Sequence, residues 1–150
     1  ILIFANIVYA SYVNNISVKY STISGEMICN IDVDQNDSYV VNGIPYVIVT
    51  VKNYDIDNNI TSVDIDYNLT IKNKNGYNGT YIWQKINDVD DTKYDEGTNS
   101  YSEQVITNTY SLGNKNKEEK KFKIFIKSSL ESYENLGFNI ELNSIQKNMQ

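Results

Sequence analysis

Val63, Ile65, Tyr67, Leu69 and Ile71 alternate with Asp64, Asp66, Asn68, Thr70 and Lys72 without a break. A two-residue period puts every apolar side chain on one face of an extended strand, whereas a helix would scatter them round its axis. The stretch is therefore expected to fold as a strand with one face in a core and one in solvent. The period recurs at Met27, Cys29, Ile31 and Val33, at Val47, Val49 and Val51, at Phe122, Ile124 and Ile126, and at Phe138, Ile140 and Leu142. Tyr12, Ile16, Val18 and Tyr20 share one parity, and residues 81–83 and 104–110 are weaker strand candidates.

Turn chemistry separates these runs. Asn42-Gly43, Asn75-Gly76 and Asn78-Gly79 tolerate positive φ, and Gly113-Asn114 precedes the lysine-rich strand. Ser128 with Glu131 reads as a capping box and Gly137 as a stop, which predicts one short helix around residues 130–136. Residues 88–100 are acidic and aperiodic and are expected to form a long exposed loop. Seven or eight short strands predict an all-β chain, an antiparallel β-sandwich of jelly-roll or immunoglobulin-like type. Its domain is expected to span residues 21–150, preceded by an apolar leader and arm over residues 1–20.

Composition narrows the chemistry. All 13 basic residues are lysines, against 19 acidic ones, for a net charge of −6. An acidic chain without arginine is poorly equipped to bind nucleic acid. Histidine is absent, which removes the commonest general base and zinc ligand. Cys29 is the only cysteine, so no internal disulfide can form, and its place in an alternating run predicts a small core residue. No base, nucleophile and oxyanion arrangement can be named, so no catalytic residues are expected and the chain is read as a non-enzyme.

The remaining motifs are modest. Asp32, Asp34 and Asn36 repeat the oxygen spacing that opens a calcium loop, as do Asp55, Asp57 and Asn59. Neither run has the sixth-position glycine or twelfth-position glutamate, so the expectation is no cofactor, with calcium at these acidic turns the alternative. Asp64 and Asp66 share a strand face, which is also what the solvent side of an acidic strand looks like. Five Asn-x-Ser/Thr sequons stand at Asn15, Asn36, Asn59, Asn68 and Asn78. They matter only where glycosylation machinery exists. Thirteen tyrosines and Trp83 offer a sugar-stacking platform only if they converge, but their spacing is scattered, and Tyr46, Tyr67 and Tyr81 fall in strands where a core or cross-strand role is enough.

The first ten residues are apolar and end in Val8-Tyr9-Ala10, which reads as the end of an export signal cut by signal peptidase before Ser11. Residues 11–20 then form an arm that either pairs in its own sheet or adds to the open edge of a neighbour. Burying Ile16, Val18 and one tyrosine would contribute about 5 kcal/mol per junction. A head-to-tail contact that does not close builds a filament.

The order of these features resembles a known family. Val8-Tyr9-Ala10 is followed by Ser24-Gly25-Glu26-Met27-Ile28-Cys29-Asn30-Ile31, by a valine-rich strand running into Val51-Lys52-Asn53-Tyr54, by the amphipathic stretch of residues 62–71, and by Tyr110-Ser111-Leu112-Gly113 before a lysine-rich strand. This resembles the TasA/camelysin group of Gram-positive bacteria. The resemblance implies a small jelly-roll protein released by signal peptidase, located outside the cell or on its surface, and assembled into biofilm-matrix fibres. It implies that Tyr12, Ile16, Val18 and Tyr20 line a donor strand that completes the sheet of the next copy. Camelysin is described as a metalloprotease, but this chain has no His-Glu-x-x-His and no zinc site carries over. The alternative is a non-polymerising cell-surface binding module, with glycans as the ligand class.

Overall fold

The computed structural model describes residues 13–21, 26–73, 79–86, 94–100, 104–128 and 138–147. Within them run β1 (Val13–Ser21), β2 (Asn30–Asp34), β3 (Val40–Val41), β4 (Ile44–Lys52), β5 (Ile65–Asn73), β6 (Gly79–Ile86), β7 (Tyr94–Ser100), β8 (Gln104–Ile106), β9 (Tyr110–Leu112), β10 (Glu119–Ser128) and β11 (Phe138–Gln146). Eight of these strands are five residues or longer, and no helix occurs among the described residues. The expected helix at 130–136 lies outside them.

Two sheets pack face to face. One runs β1-β11-β5-β8, with β9 on the same edge of β5. The other runs β2-β4-β10-β6-β7, with β3 beside β4. Alternation decides which residues meet between them. Ile65, Tyr67, Leu69 and Ile71 of β5 and Phe138, Ile140 and Leu142 of β11 face Val47, Val49 and Val51 of β4 and Phe122 and Ile124 of β10. All are essentially buried, and each large one contributes about 1.5–3 kcal/mol. Tyr67 and Phe122 cross the interface edge to face, with centroids 6.3 Å apart.

Two features depart from the sequence reading. Residues 94–100, expected in a loop, form β7 and pair antiparallel with β6. An edge strand is held through one side by main-chain bonds, which do not require an apolar alternation. The 104–110 candidate is split: Thr107 interrupts it, accepting a hydrogen bond from the Leu69 amide at 3.0 Å through its hydroxyl. β8 and β9 therefore lie end to end along β5. At Asn42-Gly43 both residues have positive φ, 51° and 78°, as a two-residue hairpin turn between β3 and β4 requires.

Candidate functional site

The candidate site is the margin where the two sheets stand open, with β1 at the edge of one and β2 at the edge of the other. β1 runs parallel to β11, the one parallel pair among the described strands. Ile16 stands opposite Ile140, Val18 opposite Leu142 and Tyr20 opposite Ser144, with a register shift between Val13 and Asn15. Paired residues share a sheet face, so Ile16 and Val18 lie on the core side. They nevertheless remain 42% and 43% exposed, whereas Ile140 and Leu142 are sealed. The arm residues thus lie along their own β11 edge but under an incomplete roof. Tyr12 lies outside the described residues.

Beside Val18 a groove of about 620 Å³ opens toward Ile31, Lys52, Tyr54, Asp55 and Ile56. Lys52 is ion-paired with Asp32 and sits 5.6 Å from the Tyr54 ring centroid, and Lys117 sits 5.1 Å from the same ring. The Tyr54 hydroxyl donates to Glu119 at 2.9 Å, and that carboxylate holds the phenol above its ordinary pKa. The Asp32 carboxylate raises the Lys52 pKa in the same way.

The floor of this end is built by buried polar side chains. Asn53 is fully buried. Its Nδ2 donates to the carbonyls of Gly113 and Asn116 at 2.8 and 2.7 Å, and its Oδ1 accepts from the Glu118 amide at 2.7 Å. The Thr61 hydroxyl, 1% exposed, accepts from the Ile28 amide and donates to the Val63 carbonyl, both at 3.1 Å. These bonds fix the segments before β2, after β4 and before β10 against one another. Sequence reasoning missed this network, because nothing in the bare pattern sets Asn53 apart from the chain's many other asparagines.

The aspartate runs do not converge. Asp32 pairs with Lys52, Asp34 accepts from the Tyr39 hydroxyl, and Asn36 accepts from Ser38. Asp55 is occupied in closing its own turn. It accepts from the Asp57 and Asn59 amides at 3.0 and 2.8 Å and from the Asn59 side chain at 3.0 Å. Those bonds, the Asn59 side chain first, hold its carboxyl below the usual range. Among the described residues no group of three His, Cys, Asp or Glu side chains is placed to hold a metal. Asp66 accepts from Ser111, while Asp64 is exposed before β5. Trp83 stands opposite Ile124, a fully buried position, in the β6–β10 ladder.

Cys29 is a core residue, as its alternating run predicts. Burial pushes its thiol up to about 12, with a hydrogen bond to Ser144 pulling the other way. Ser144 belongs to β11 and is the register partner of Tyr20, so the thiol bonds to the strand on which β1 is paired. Comparison of the chain with family models, curated proteins and solved structures returns no match. No helix among the described residues is long and apolar enough to cross a membrane.

Proposed function

We propose that this chain is an exported structural subunit of an extracellular filament or biofilm-matrix fibre, built head to tail by strand donation from its amino-terminal arm. The supporting observation is the seating of β1. It lies on a sheet margin, in a parallel ladder, with its two aliphatic anchors more than two-fifths exposed. Parallel pairing is slightly weaker per residue than antiparallel pairing. A strand held in this way can be exchanged for the identical strand of another copy at little net cost, because each bond broken within one chain is remade between two. Register would set specificity, since a one-residue slip turns Ile16 and Val18 outward.

Deleting residues 1–20 is expected to leave a soluble monomer, and a synthetic peptide of residues 11–21 added to it should raise its melting temperature. Filaments seen by electron microscopy from the deletion would overturn the proposal. Amino-terminal sequencing of the secreted protein should start at Ser11.

The groove favours a second reading, a non-polymerising surface module with a glycan as ligand. The aromatic on its wall is Tyr54, flanked by two lysines. Loss of a glycan-array signal in Tyr54→Ala, with no filament in the parent protein, would select it.

A further inference from the structure

We propose that Asn36 is a modification site, the acceptor of a glycan transferred from a lipid-linked pyrophosphate donor. The inference rests on the export part of the reading above and is independent of whether copies polymerise. Five sequons are present, and the fold treats them unequally. Asn36, Asp37 and Ser38 are all exposed in the turn between β2 and β3. The Ser38 hydroxyl and amide both donate to Asn36 Oδ1, at 2.8 and 2.9 Å. The two side chains that define the sequon therefore stand together at the surface, and the Asn36 amide nitrogen, the atom that must attack, donates to no described residue.

Elsewhere the fold engages the sequon asparagines. The Asn59 amide nitrogen donates to Asp55 at 3.0 Å, and its hydroxyl partner Thr61 is 1% exposed and bonded within the Asn53 floor. Asn68 accepts from Asn143 at 2.9 Å, and Thr70 is 5% exposed within the sheet. Asn15 is paired in β1 opposite Asn139. Asn78 lies outside the described residues.

In the transfer, Nδ2 bonds to the anomeric carbon of the donor sugar, the bond from that carbon to the pyrophosphate oxygen breaks, the lipid pyrophosphate leaves, and the amide loses one proton to base. No oxidant or reductant is needed. A glycan here would sit at the end of β2, the open edge of the six-stranded sheet. Bulk and hydration at an open edge block unwanted strand pairing.

The test is peptide mass spectrometry on protein recovered from outside its own cells. The Asn36 peptide should carry a glycan mass, which Asn36→Gln and Ser38→Ala abolish and Ser38→Thr retains, while the Asn59 and Asn68 peptides are unmodified. An unmodified Asn36 on the exported chain overturns this proposal and leaves export intact. Equal occupancy of Asn59 and Asn68 would also overturn it, because the fold would then not be choosing the site. Recovery of the chain only from inside the cells removes both readings.

Discussion

Asn53 and Asp55 sit two residues apart and do opposite things with their polar atoms. The Asn53 amide spans two carbonyls and one amide with no access to water. Asn53→Ala strands those three backbone groups and is expected to cost about 2–4 kcal/mol in urea unfolding. Asn53→Asp should cost more at neutral pH and recover in acid, because a carboxylate facing two carbonyl oxygens binds a proton more tightly folded than unfolded. Asp55 works the other way. Its carboxyl lies at the surface and is held low by Asn59. A depressed folded pKa gives stability that is present above the unfolded carboxylate pKa and lost as pH falls through the folded one. Asp55→Ala should therefore lower the melting temperature at pH 7, and the gap to the parent should close in acid. A gap that widened in acid would rule out this role.

Among elements, β1 is an edge strand paired on one side only. Its ladder to β11 is parallel and its anchors are half open, so its amides should exchange hydrogen faster than those of β5, which is paired on both sides. Cys29 offers a second measure. With β1 in place the thiol is buried and its pKa lies near 12, so it should resist a thiol reagent at pH 8. Deleting residues 1–20 should raise that labelling rate roughly tenfold or more. Equal rates would show that β1 does not cover the thiol.

What was legible at this scale follows physical lines. β5, β4, β10 and β11 could be read directly, because each buries one face and alternation records that burial. Asn42-Gly43 announced its hairpin because few residue pairs accept two positive φ angles. β7 could not be read, since an acidic edge strand pairs without an apolar pattern. Nor could the parallel seating of β1, because pairing partners leave no periodic trace in the chain. The groove was equally hidden. Tyr54, Lys52 and Asp32 come together only once β2 folds back on β4.

At the scale of the whole molecule, charge opposes the assembly proposed for the β1 margin. Each copy carries a net charge of −6, so copies repel at low ionic strength. The Debye length shrinks from about 30 Å at 0.01 M salt to about 8 Å at 0.15 M. If assembly rests on an apolar strand and main-chain bonds, filament growth followed by light scattering should accelerate across that range. Slower growth with added salt would instead point to ion pairs at the junction.

The parallel seating of β1 also bears on when the chain is finished. Val13 lies against Phe138 and Ser21 against Ile145, so the first of the described strands has its resting place on the last of them. Closing so long a loop is slow relative to nearby pairings. During that wait a newly made chain carries β1 unpaired, because the β11 edge does not yet exist. Under the proposed strand exchange, a folded copy close by whose own β1 has lifted away offers an equivalent dock, so crowding at the point of emergence, more than affinity alone, would decide between a solitary molecule and a linked one.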